Sequence, residues 1–203
     1  MAPRSSPAVP AVPVISVERR AAVDSYRRRD LRILGLDASL ARTGVAILEA
    51  DLADPDSWKV LHMDVIQTYP RIARPQRLHD IRFALREYFD GSLKIDHVFI
   101  EKPGHWARMK QDSNQETVEA LAQVRGVMLE TCADYGVTVT EISTNDAKAT
   151  LAHPTASKEQ IQQALRRLKL YDGEDGDIAD AIAVSYAGAR QLRVKHLEGK
   201  AKK

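Results

Sequence analysis

The chain has one cysteine, Cys132, among its 203 residues. A single thiol cannot close an internal disulfide or build a cysteine-based zinc site, and it fits a reducing compartment such as the cytoplasm. Long apolar runs are missing too: nothing approaches the roughly 18 consecutive apolar residues of a membrane-spanning helix, so no membrane partner is expected. The first residues lack a charged stretch leading into an apolar one, which argues against a cleaved secretory signal. What is present is the balance of a globular protein with a real core, 44% apolar and 29% charged residues. The length suits one domain of about 100–200 residues with additional tails.

The formal charge of +2 hides an asymmetry. Residues 1–30 carry six arginines against three acids, and residues 190–203 carry six lysines and arginines against one acid. The body, 31–189, holds 18 basic and 24 acidic residues. Basic ends around an acidic body suit a protein that grips a polyanion at its edges and concentrates carboxylates for metal. Tails that merely keep a domain soluble are the plainer alternative.

Four prolines in the first thirteen positions mark an extended arm, and with Arg19, Arg20 and Arg27–Arg29 it forms a basic N-terminal segment, 1–30. A folded domain is expected over 31–192, with a basic tail at 193–203. Leu31–Asp37 reads as a buried strand ending in an acid, Thr43–Glu49 as a second strand and Lys59–Thr68 as a third, after the turn chemistry of Asp54, Pro55 and Asp56. Short connections between the three predict an antiparallel meander. Helical spacing follows over Arg74–Phe89, and Ile95–Glu101 is a fourth strand that again ends in an acid. Asn114 can cap a helix through Ala133, which Gly136 closes. Val137–Ile142 is a fifth strand, and a short helix spans Asn145–Leu151. Ser157 with Gln160 forms a capping box for the next helix, and the last helix runs from about Asp177 to Gln191. The order β-β-β-α-β-α-β-α predicts an α/β protein of ribonuclease H-like fold, a five-stranded mixed sheet flanked by helices.

Four carboxylates stand out by position. Asp37 and Glu101 end apolar strands, and Asp177 and Asp180 lie three apart at the start of an Ala/Ile-rich helix, hence on one face. If strands one and four are neighbours, the first two emerge side by side and the helix can bring the other two to them. Such a cluster repels itself, and a divalent cation removes the penalty. Carboxylates without cysteine or histidine are the donor set of a hard ion such as Mg²⁺. Two ions can activate a water and stabilise a leaving oxygen. Taken singly, each acid is more simply a turn former or a helix N-terminal acid; the conjunction carries the reading.

The segment Leu34-Gly-Leu-Asp37-Ala-Ser39, continuing through Arg42-Thr-Gly44-Val-Ala, resembles the first motif of RuvC-type Holliday junction resolvases. Phe99-Ile-Glu101 resembles their second motif, Gln123-Val-Arg125-Gly126 the helix after it, and Asp177-Ile-Ala-Asp180-Ala-Ile-Ala183 their last motif. The resemblance covers roughly Leu31–Arg190 in order. It implies a homodimeric crossover junction endodeoxyribonuclease that cuts opposed strands of four-way junction DNA. Two Mg²⁺ ions per site are implied, with Mn²⁺ able to substitute and no small-molecule cofactor. Asp37, Glu101, Asp177 and Asp180 would be the metal ligands. Lys148 and Lys158 match family lysines that face the phosphate, Lys158 as a catalytic residue. In the loop after Glu101, Trp106 is the candidate stacking wedge at the junction centre, with Arg108 and Lys110 as further DNA contacts. Ser39 and Arg42 are candidate phosphate contacts in the first turn.

Three departures, namely a longer loop after Glu101, the N-terminal extension and Ala38 where the family commonly has proline, point to a divergent or phage-borne member acting in the bacterial cytoplasm. The helix from Asn114 is the candidate dimer interface, with Gly126 permitting close approach. Cys132 reads as core filler, and His153 receives no role. Alternatives are a ribonuclease H-like nuclease of RNA–DNA hybrids or other branched DNA, and a non-catalytic junction-binding protein. An actin-like ATPase would need a second nucleotide-binding domain, for which the chain is too short.

Overall fold

The computed structural model describes residues 30–102 and 115–201. Among these, five strands form one sheet: β1 (Leu31–Asp37), β2 (Arg42–Ala50), β3 (Lys59–Gln67), β4 (His97–Lys102) and β5 (Thr138–Ser143), in the spatial order β3-β2-β1-β4-β5. The α-helices among the described residues are α1 (Arg74–Asp90), α2 (Gln115–Asp134), α3 (Thr144–Leu151), α4 (Lys158–Arg167) and α5 (Gly176–Ala201). The predicted meander is there: β1 pairs antiparallel with β2, and β2 with β3. Connections through α1 and α2 then return the chain to add β4 parallel to β1 and β5 parallel to β4. This is the mixed α/β architecture read from the sequence.

A central strand covered on both faces needs apolar residues at nearly every position, and β1 supplies them. Leu31 and Ile33 enter one core layer with Ala46, Leu48, Phe99, Ile161, Leu165 and the inner face of α5. Leu34 and Leu36 enter the other with Val45, Ile47, Ile100, Ile81, Leu85, Val124 and Met128. Helices α1 and α2 therefore cover one face of the sheet, and α4 and α5 the other.

Local signals placed most element ends. Ser157 caps α4 in a reciprocal capping box with Gln160. Gly136, at φ +63°, follows α2 in the left-handed conformation that glycine adopts without Cβ strain. Asp54 caps the 3₁₀ turn at Pro55–Ser57. The last helix is a correction. It was expected to stop near Gln191, with a tail from 193, but α5 continues to Ala201. No proline interrupts residues 191–201, and Gly199 lies within the helix. No helix among the described residues is long and apolar enough to cross a membrane.

Candidate active site

Parallel pairing brings strand ends of the same polarity together. The β1–β4 register runs to Leu36–Ile100, so Asp37 and Glu101 stand one residue beyond it on adjacent strands. Asp37 also pairs with Gly44 across the antiparallel β1–β2 ladder. Helix α5 crosses this part of the sheet very closely. A Cβ on Gly35 would meet the Ala181 carbonyl oxygen at 2.4 Å, and one on Gly44 would meet the Asp177 carbonyl oxygen at 2.1 Å. Two glycines thus make the space in which the helix delivers Asp177 and Asp180 to the strand ends.

The four predicted acids converge electrostatically. Burial, then the charge of Glu101 and a side-chain hydrogen bond with it, then Asp180 and Asp177, hold the Asp37 carboxyl well above the ordinary range. Burial also raises Asp180, while Lys158 and Lys148 draw it back down. Lys158 Nζ lies 3.4 Å from Asp180 Oδ2 and 3.8 Å from Asp177 Oδ1. Burial opposes its charge, but Asp180, Asp177 and Asp37 outweigh that and raise it. The Lys158 side chain is still 58% exposed, so its ammonium remains open to a ligand from solvent.

Arg42 sits differently from the expectation of a phosphate contact. Its Nε donates to Asp177 Oδ2 at 2.6 Å and a terminal nitrogen donates to Asp175 Oδ2 at 2.5 Å. These bonds, first Asp177 and then Asp175, raise the guanidinium above its usual range. Asp175 accepts the backbone N–H groups of Asp177 and Ile178 on Oδ1, the contacts of a helix N-cap. Burial disfavours its charge, but those two N–H groups and Arg42 outweigh that and lower its pKa. Lys148 donates to the Ala156 carbonyl at 3.0 Å, tying α3 to the segment before α4. The Ser39 hydroxyl accepts from Arg42 N–H at 3.5 Å within the first turn, and Ser39 also lines a cleft of about 540 Å³ with Arg74, Arg77 and Leu121. Trp106, Arg108, Lys110 and the helix cap expected at Asn114 lie outside the described residues, as does the arm, 1–29.

Two residues at the site escaped sequence reasoning. Thr144, the first residue of α3, donates its hydroxyl to Glu101 Oε1. Its position directly after a predicted strand beside β4 was the available signal. Asp175 lies directly before the start of the last helix, and an Asp at that place is a capping signal.

The donor chemistry fits a hard divalent cation: half-buried carboxylate oxygens from three elements, whose charges act together on Asp37. Among the described residues, no three His, Cys, Asp or Glu side chains are already drawn together as a ligand set. Protein cations lie against the acids, Lys158 beside Asp180 and Arg42 on Asp177.

Residues 33–187 match the family model described as crossover junction endodeoxyribonuclease RuvC. The chain is 30% identical to the RuvC crossover junction endodeoxyribonuclease of Nitrobacter hamburgensis over 176 residues, spanning 81% of this chain and 95% of that one. It is 31% identical to that of Bifidobacterium longum subsp. infantis over 160 residues, spanning 77% of this chain and 78% of that one. Among solved structures, Thermus thermophilus RuvC in complex with Holliday junction substrate superimposes with a TM-score of 0.72 at 20% identity, over 81% of this chain and 96% of that one. The yeast mitochondrial Holliday junction resolvase superimposes with a TM-score of 0.62 at 13% identity, over 90% of this chain and 88% of that one.

Proposed function

The chain belongs to the RuvC family of crossover junction endodeoxyribonucleases, and on that premise we propose that it resolves four-way DNA junctions in the bacterial cytoplasm by hydrolysing one phosphodiester in each of two opposed strands. The observation that carries the reading is the convergence of Asp37 and Glu101, at the ends of parallel neighbouring strands, with Asp177 and Asp180 on the helix packed over Gly35 and Gly44.

Nucleases of this type are metal-dependent. Asp37, Glu101, Asp177 and Asp180 would hold the metal, which we propose to be Mg²⁺, two ions per site, with Mn²⁺ able to substitute. Bound there, a divalent cation supplies an acidified water and neutralises charge on the leaving oxygen. The protein's own groups do the positioning. Thr144 orients Glu101. Lys158, at the open side of the cluster, is placed to meet the scissile phosphate as it enters. Lys148 fixes the segment leading into α4 and so the place of Lys158. Trp106, with Arg108 and Lys110, would contact the junction centre, and the basic arm, 1–30, would add phosphate contacts outside the folded domain, whose last helix runs to Ala201.

Cutting two opposed strands of a two-fold junction suits a two-fold protein. We propose a homodimer through α2. Its buried residues Val124, Met128 and Cys132 belong to the core, while Gly126, Leu129 and Ala133 face outward. A Cβ on Gly126 would meet nothing within 4 Å, so a second backbone can approach it closely.

The deciding experiment incubates end-labelled four-way junction, matched duplex and RNA–DNA hybrid with the protein in Mg²⁺, Mn²⁺ or EDTA, beside Asp37→Asn. Paired symmetric nicks in the junction alone, lost in EDTA and in the variant, are expected. Cutting of the hybrid instead would place the protein with ribonuclease H-like enzymes, and tight junction binding without cutting would make it a binding protein.

A further inference from the structure

We infer that Arg42, braced by Asp175, is a positioning residue that presents one oxygen of Asp177 to the metal cluster; this rests on the metal site proposed above. The guanidinium spans two carboxylates, with Nε on Asp177 Oδ2 at 2.6 Å and a terminal nitrogen on Asp175 Oδ2 at 2.5 Å. Asp175 is itself anchored, because its other oxygen accepts the N–H groups of Asp177 and Ile178 at 3.0 and 3.4 Å. The fork is therefore referenced to the first turn of α5. The two oxygens of Asp177 are divided between neighbours: Oδ2 goes to Arg42, while Oδ1 lies toward Lys158, which also approaches Asp180. Strand β2 grips the same residue twice, through Arg42 on its side chain and through Gly44 under its carbonyl oxygen.

A planar guanidinium with fixed donors holds a carboxylate at a set angle, which a single ammonium does not. Groups that orient a metal ligand from behind typically alter metal affinity about 10–100-fold when removed. Arg42 is also a cation close to the site, so plain charge repulsion predicts the opposite effect, tighter metal binding on its removal. The sign of the change separates the two accounts.

The test titrates Mn²⁺ into the full-length protein without DNA, followed by loss of the free-ion electron paramagnetic resonance signal. Junction cleavage is measured in parallel against Mn²⁺ concentration. Arg42→Met is expected to raise the half-saturating Mn²⁺ about 10-fold in both measurements, with cleavage recovering at saturating Mn²⁺. Asp175→Asn, which keeps an oxygen for the helix cap, should shift both in the same direction by less, and Arg42→Lys should restore part of the loss. Unchanged or tighter Mn²⁺ binding in Arg42→Met overturns the inference. So does a loss confined to junction affinity in EDTA with a shallower salt dependence, which would return Arg42 to a phosphate contact. Absence of Mn²⁺ binding by the wild-type protein overturns this inference and the proposed metal site together.

Discussion

The carbonyl oxygen of Asp177 lies 2.1 Å from where a Cβ on Gly44 would stand. Gly44 is the ladder partner of Asp37, so one missing side chain sets the distance between a strand-borne carboxylate and the helix that carries two more.

Gly44→Ala should therefore damage both stability and site. The obstacle is backbone, which cannot swing aside as a side chain can, and overpacking of this kind costs about 1–3 kcal/mol. Thermal unfolding should show the loss, and cleavage should stay low even at saturating metal because α5 is displaced. Gly199→Ala is the control: its Cβ meets nothing within 4 Å, and unfolding should be unchanged or slightly later.

Asp37→Asn should abolish cleavage yet stabilise the metal-free protein. Burial and three neighbouring acids hold the Asp37 carboxyl above its ordinary pKa, so its ionised form is disfavoured in the folded state. Removing that charge should raise the melting temperature in EDTA, by about 2–4 °C for each kcal/mol gained. Junction binding measured in EDTA should persist. A lower melting temperature in EDTA would mean that the acids are not repelling one another.

If the proposed dimer forms through α2, Leu129→Glu should shift it to monomer in analytical ultracentrifugation while leaving the far-ultraviolet circular dichroism unchanged. Leu129 is 38% exposed on the outer face of α2, so a charge there harms only a contact with another molecule. Persistence of the dimer would move the interface off this helix.

His97 predicts an acid limb in stability. It is buried at the start of β4, where its Nε2 pairs with Thr140 Oγ1 at 2.9 Å and its ring stacks on Phe99. Burial, reinforced by Lys195, lowers its pKa to about 4. The unfolded chain takes up this proton near pH 6.5, so between about 6.5 and about 4 it binds more protons than the folded protein. Stability from this group is complete above that window and declines as pH falls through it, by roughly 3 kcal/mol in all. Chemical denaturation at several pH values should show the slope, and His97→Asn should flatten it.

What the sequence by itself determined was local or periodic. The run of β1, apolar but for Arg32 and Gly35 until Asp37, announced a buried strand, and the Ser157–Gln160 box and Gly136 marked helix ends, because those signals act over a few residues. Asp177 and Asp180 fall on one face through helical spacing alone. Tertiary structure decided everything that depends on distant pairing. Only the parallel β1–β4 contact puts Asp37 beside Glu101, and only the close crossing of α5 gives Gly35 and Gly44 their purpose. Arg42 looked like a turn cation because its partner, Asp177, is 135 residues away in the chain. Lys148 likewise became a tether to Ala156 once α3 and the segment before α4 had packed together. Charge and hydrogen bonding act through space, so a residue type shows what a side chain can bind, and the packed fold selects which partner it binds.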